Sequence, residues 1–231
     1  MSQLKQIKIS TPKFDETVPS LKKKVLITPF RVGDEKTLLV AAESKNTKQM
    51  MNAMKQVVSN CVEGVEIEDL ASFDLEYLFL KLRAVSVGES AEIGVKCLEC
   101  EKTNKIKVDV SEVKVDFDPS HKKEVKVSDD LMFIMKYPDV SKLESTNEVD
   151  TMMNVISESV DSVIYGDEAI KITDAEKEDL KDIINGLTTK QFAEVRAFFE
   201  TMPKVKKEIE FACSECSKQN KVTLEGMADF F

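Results

Sequence analysis

Glu92-Ile93-Gly94-Val95-Lys96-Cys97-Leu98-Glu99-Cys100-Glu101-Lys102-Thr103-Asn104-Lys105-Ile106-Lys107-Val108 is the stretch whose reading decides the fold. Ile93, Val95 and Cys97 alternate with polar or small neighbours. Ile106, Val108 and Val110 do the same after Cys100. Period-two alternation on both sides of a tight cysteine pair predicts a β-hairpin with two thiols in its turn. The same design returns 116 residues later. Glu92-Ile93 matches Glu208-Ile209, Cys97 matches Cys213, Glu99 matches Glu215 and Cys100 matches Cys216. Lys102 matches Lys218, and Asn104-Lys105 matches Asn220-Lys221, so 8 of the 17 positions from 92 to 108 are identical.

Two hairpins of one design suggest two halves of one site. Zn2+ takes four tetrahedral soft ligands, with Zn–S bonds of about 2.3 Å for thiolates. A two-residue spacer lets both thiolates of one turn face one ion, but one turn supplies only two ligands. The turns are therefore expected to converge, with Cys97, Cys100, Cys213 and Cys216 forming a closed four-thiolate zinc site. A closed site has no open coordination position, so it is structural: it clamps distant segments and contributes folding free energy. Two other readings of the pairs stay open. One is a redox dithiol, although the usual βαβ context is absent around both pairs. The other is free or oxidised cysteines beside ordinary turns. Cys61 falls on an apolar helical stripe with no partner at ligand-like spacing, and reads as a buried, inert thiol.

Outward from the hairpins, the expected fold class is α+β: helical segments, antiparallel hairpins forming a zinc-ribbon-like unit, and an inserted strand and helical part. Residues 1–34 read as a polar arm, broken by Pro12, Pro19 and Pro29, with an edge strand near 24–32. Residues 35–89 read as helical. Three-and-four spacing runs through Met50, Met54, Val57, Val58 and Cys61, with a split at Asn46-Thr47. A further helix covers 73–86, with Asp74 as its N-cap and Gly88 as its stop. Residues 90–112 with 203–231 form the zinc-ribbon-like unit, and 113–202 form the inserted subdomain. Within the insertion, strands cover 113–137 and a helix covers 147–164 up to Gly166. A second helix starts at the capping box Thr173…Glu176, and a third at Thr188…Gln191.

The 231 residues carry 33 Lys+Arg against 42 Asp+Glu, a net charge of −9. A field of that sign repels phosphate backbones and anionic lipid. The lysines Lys102, Lys105, Lys107, Lys204, Lys206, Lys207, Lys218 and Lys221 gather around the cysteine pairs. They are interleaved with Glu99, Glu101, Glu208, Glu210 and Glu215, which argues against a nucleic-acid patch. A zinc-ribbon regulator that binds nucleic acid is nevertheless the alternative function. No apolar leader and no stretch of 18 apolar residues is found, so neither a signal peptide nor a membrane span is expected. With one His, a multi-histidine metal centre is excluded. His121, in Pro119-Ser120-His121-Lys122-Lys123, reads as a solvated loop residue, and Asp174–Asp179 as a helix first turn stabilised by its dipole. No nucleophile–base pair, paired-carboxylate motif or phosphate loop is present.

Several segments in order carry a family likeness. They are Pro29-Phe30-Arg31-Val32-Gly33-Asp34-Glu35-Lys36-Thr37-Leu38-Leu39, Phe73-Asp74-Leu75-Glu76-Tyr77-Leu78-Phe79-Leu80-Lys81-Leu82-Arg83, and Ser86-Val87-Gly88-Glu89. Phe198-Phe199-Glu200-Thr201-Met202-Pro203 and Leu224-Glu225-Gly226-Met227-Ala228-Asp229-Phe230-Phe231 complete the set. Over residues 25 to 231 the chain resembles the baseplate hub family of T-even-like tailed bacteriophages. The resemblance implies a non-enzymatic hub subunit or hub-assembly factor of a contractile tail. It would bind other tail proteins, such as the hub or tape-measure protein, in the host cytoplasm during assembly or in the virion baseplate. Its cysteine pairs fit a structural Zn2+. The Met-rich helix (Met50, Met51, Met54) and the Phe-rich one (Phe192, Phe198, Phe199) read as core, with partner contact as the other reading. Phe230-Phe231 reads as an exposed partner contact.

Overall fold

The computed structural model describes residues 10–138 and 148–230. They form an α+β fold of helices and antiparallel sheets in two compact units. The first unit holds 10–66, 77–113 and 211–220; the second holds 67–76, 114–138, 148–210 and 221–230.

In the first unit, β1 (Phe14–Val18) and β2 (Lys23–Ile27) make an antiparallel hairpin with Phe14 opposite Ile27, and β3 (Val62–Glu63) pairs with β2. The segment expected as an arm with one edge strand therefore holds two strands in its described part. Its inward residues Val18, Val25 and Ile27 are buried, a pattern too short and too diluted by lysines to stand out as alternation. Helices α1 (Val32–Glu43) and α2 (Thr47–Cys61) break at Asn46, whose side chain accepts the Gln49 N–H at 3.1 Å. Met54, Val57, Val58 and Cys61 line the buried stripe of α2, so the sulfur of Met54 serves the core.

Helix α3 (Ser72–Val87) buries Leu75, Leu78, Leu80 and Leu82, and Gly88 follows at φ +136°. Asp74 is not the N-cap. It sits in the first helical turn, and its carboxylate reaches back to accept the Ala71 N–H at 3.0 Å. This is the return half of a capping box, made by a side chain that is fully buried. Strands β4 (Ser90–Lys96) and β5 (Thr103–Asp109) form the first cysteine hairpin, with Lys96 opposite Thr103. The tip of the second, between β11 (Lys204–Ala212) and β12 (Gln219–Glu225), belongs to the same unit.

In the second unit, β6 (Lys114–Asp116) joins β11 and β12 in the order β12-β11-β6. A four-stranded sheet runs β10-β9-β8-β7, built from β7 (Glu124–Lys126), β8 (Leu131–Met135), β9 (Val160–Tyr165) and β10 (Glu168–Lys171). Its inward residues Val125, Phe133, Met135 and Val163 share one core with Ile156 of α4 (Glu148–Ser159), Leu180 and Ile184 of α5 (Lys177–Asn185), and Val195 and Phe198 of α6 (Thr189–Thr201). Phe192 and Phe199 pack against the same core, so the Phe-rich helix is core as expected.

Three expectations are corrected here. The helix expected over 147–164 ends at Ser159, and the run from Val160 is strand β9; residue 147, its expected start, lies outside the described residues. The cause is tertiary: β-branched Val160 pairs with Met135 on β8, and Val163 lies between Phe133 on β8 and Ile170 on β10. Thr173 and Glu176 do bond each other, Thr173 N–H to Glu176 Oε2 at 2.9 Å, but they close a turn and α5 starts only at Lys177. Phe230 is not an exposed contact. Gly226, at φ +66°, gives its N–H to Val205 O at 2.9 Å, and Asp229 accepts the Glu225 N–H at 2.8 Å. The resulting 3-10 turn, Met227–Phe230, buries the Phe230 ring to 1% exposure. Phe231 lies outside the described residues.

Candidate metal centre

Each hairpin turn is held by the same bonds. Cys97 N–H donates to Lys102 O at 2.9 Å and Glu101 N–H to Cys97 O at 3.0 Å; Cys213 and Ser217 repeat these bonds to Lys218 O and Cys213 O at the same lengths. The residue after each second cysteine is left-handed: Glu101 at φ 58° and Ser217 at φ 59°. The turn then aims backbone N–H groups at sulfur, Glu99 N to Cys97 Sγ at 3.5 Å and Glu215 N to Cys213 Sγ at 3.4 Å.

The turns face each other. Cys97 Sγ lies 3.7 Å from Cys216 Sγ, Cys100 Sγ lies 3.6 Å from Cys213 Sγ, and all four sulfurs fall within 4.8 Å of one another. These separations are far beyond a disulfide bond of about 2.05 Å, and all four cysteines are free. The 3.6 and 3.7 Å pairs are close to the spacing of a thiolate tetrahedron, in which Zn–S bonds of about 2.3 Å place sulfurs about 3.8 Å apart. Cys97 and Cys213 are buried, while Cys100 and Cys216 are exposed. The backbone N–H groups of Cys216 and Glu215, with the Asn104 amide, pull the Cys213 thiol down to about 6. The equivalent donors, Cys100 and Glu99 first, lower Cys97. Cys100 feels the Lys102 N–H pulling downward, but lost solvation and the surrounding sulfurs together push it up to about 12. Backbone N–H donors thus favour the ionised form of the two buried sulfurs, while lost solvation and neighbouring sulfurs oppose it at Cys100. Four thiols converging at these distances are a donor set that can hold a soft divalent cation.

A family model described as T4 bacteriophage base plate protein matches residues 10–231. The chain belongs to that family. No curated protein and no solved structure matches it.

The remaining candidates in this baseplate family member are structural. Lys105, Lys204, Lys206 and Lys221 pair with carboxylates, and the pairing repeats between hairpins: Lys105 with Glu92 at 3.0 Å, Lys221 with Glu208 at 2.8 Å. Lys206 pairs with Asp116 at 3.1 Å. His121 is half-buried instead of a freely solvated loop residue: its ring stacks on Tyr137 at 5.7 Å and meets Phe198 at 4.9 Å, and Nδ1 lies 3.0 Å from Thr201 Oγ1. Burial first, and then the Lys123 charge, lower its affinity for a proton. Cys61 is buried, and burial with the Asp34 carboxylate raises it to about 11, the state of an inert thiol. Among the described residues no helix is long and apolar enough to cross a membrane.

Sequence reasoning counted Asn104 and Asn220 only as two identities of the repeat. Both are buried, at 5% and 3% exposure, and each bonds across to the other hairpin. The signal was available: a buried-type polar residue at the same offset in both copies, one strand position beyond the turn.

Proposed function

We propose that the chain is a non-enzymatic component in building the baseplate hub, binding other tail proteins such as the hub or tape-measure protein as a hub subunit or assembly factor. The match of the baseplate family to residues 10–231 carries this reading. The virion tail and the host cytoplasm during assembly are its places of action. We further propose that Cys97, Cys100, Cys213 and Cys216 hold one structural Zn2+ in a zinc-ribbon-like unit. Bound there, the ion would cross-link two turns that are 112 residues apart in sequence, each remaining S–H giving its proton to solvent as four metal–sulfur bonds form. The four-thiol donor set supports this: it is soft, it is closed, and its spacing fits zinc. A rigid unit of this kind suits a protein whose task is contact.

The test is affinity purification of the tagged chain from infected cells, with the bound proteins identified by mass spectrometry. Recovery of baseplate hub or tape-measure proteins, in amounts comparable to the bait and resistant to nuclease, is the expected outcome. Recovery of nucleic acid with a steep salt dependence, and no tail protein, would overturn it.

A further inference from the structure

The amide of Asn104 is fully used, and every bond serves one purpose. Nδ2 donates to Lys102 O at 2.9 Å within its own turn and to Cys213 Sγ at 3.6 Å in the other hairpin. Oδ1 accepts from Ser214 N–H and from Ser214 Oγ–H, both at 2.9 Å. Asn220 mirrors this. Its Nδ2 donates to Lys218 O at 2.9 Å and to Cys97 Sγ at 3.5 Å, and its Oδ1 accepts from Leu98 N–H at 2.9 Å. An asparagine has two donors and two acceptor sites. Here both donors and at least one acceptor site bridge a strand, a foreign turn and a foreign sulfur.

We propose that Asn104 and Asn220 are a reciprocal clasp that docks the two cysteine turns on each other before any metal arrives and tunes the two inner sulfurs for the ion. This rests on the metal reading above for the tuning, but not for the docking. The physical reasoning has two parts. A buried amide satisfied across an interface is costly to separate, because each lost bond leaves a desolvated polar group. The turns are thereby held at metal-binding distance by bonds that need no metal. The amide N–H groups also point at Cys97 and Cys213, the two buried sulfurs. A donor there withdraws charge from a ligating thiolate and steadies the net negative charge that four thiolates place on one divalent ion. Outer partners of this kind typically change metal affinity by about 10–100-fold.

The test uses the full chain and three variants: Asn104→Ala, Asn220→Ala and Asn104→Asp. The aspartate keeps an acceptor for Ser214 in the other hairpin but loses the N–H groups that serve Cys213 and Lys102 O, so it separates the cross-hairpin Ser214 bond from sulfur donation. Two readouts are needed. First, amide hydrogen exchange of the metal-free reduced chain follows the Leu98 and Ser214 N–H groups. Protection in wild type, lost at Ser214 in Asn104→Ala and at Leu98 in Asn220→Ala, is expected; rapid exchange of both in wild type would overturn the docking. Second, Zn2+ competition against a chelator is measured alongside the absorption of the Co2+-loaded chain. Each variant should bind Zn2+ at least tenfold more weakly. The sulfur-to-cobalt charge-transfer band should move to lower energy in Asn104→Asp while the tetrahedral ligand-field bands persist. Wild-type affinity and an unshifted band in all three would overturn the tuning. A wild type that takes up neither ion would instead sink the metal reading, with the exchange experiment still deciding the clasp.

Discussion

Glu101 and Ser217 hold left-handed backbone with ordinary side chains, at φ 58° and 59°. That conformation costs a non-glycine residue roughly 1–2 kcal/mol and costs glycine almost nothing. Glu101→Gly is therefore expected to raise stability by about 0.5–1 kcal/mol, part of the gain being offset by greater freedom of the unfolded chain. The denaturant midpoint at constant slope measures this. His121 gives a pH prediction. Its folded affinity for a proton lies below the ordinary value of 6.5, because burial and then Lys123 oppose the charge. Above 6.5 neither state is charged there and the group is silent. As pH falls through 6.5 the unfolded chain takes the proton first, so stability drops until the folded ring protonates as well. His121→Phe keeps a ring against Tyr137 and Phe198 and should flatten that part of the unfolding-midpoint profile. At this scale the convergence of the four cysteines was legible because thiols at two-residue spacing have few other uses. The roles of Asn104 and Asn220 were not, because their partners lie 110 and 122 residues away in sequence.

Elements with their own local chemistry were readable. Asn46 splits α1 from α2, and Thr188 with Gln191 forms both halves of the box that opens α6. Removing the hydroxyl in Thr188→Ala is expected to cost about 1 kcal/mol, read by chemical denaturation. Elements decided by neighbours were not readable. Val160-Asp161-Ser162-Val163-Ile164 continues an apolar helical pattern, and only its place between β8 and β10 makes it a strand. The Phe14–Ile27 hairpin was hidden for the opposite reason: its buried residues are few, and Phe14 and Leu26 are exposed among the charged ones, which blurs the alternation. Phe133, at the centre of β8 and with 0% exposure, anchors the sheet of the second unit. Phe133→Ala should cost about 3–5 kcal/mol, a lost transfer term plus a cavity, seen as a fall in the midpoint of the second unit's unfolding.

For the whole molecule, composition excluded classes and the repeat supplied the plan. A net charge of −9 fits lysines that are paired with carboxylates around the cysteine hairpins. Family membership places the chain among baseplate proteins, and four sulfurs within 4.8 Å give that plan its chemistry. The most direct measurement is metal content of the reduced, purified chain by elemental mass spectrometry, paired with its melting temperature before and after chelation, for wild type and Cys213→Ser. One zinc per wild-type chain, a melting temperature that falls on chelation, and a Cys213→Ser variant lacking both properties are expected. A wild type free of metal, melting at the same temperature with or without chelator and alongside the variant, would contradict the account.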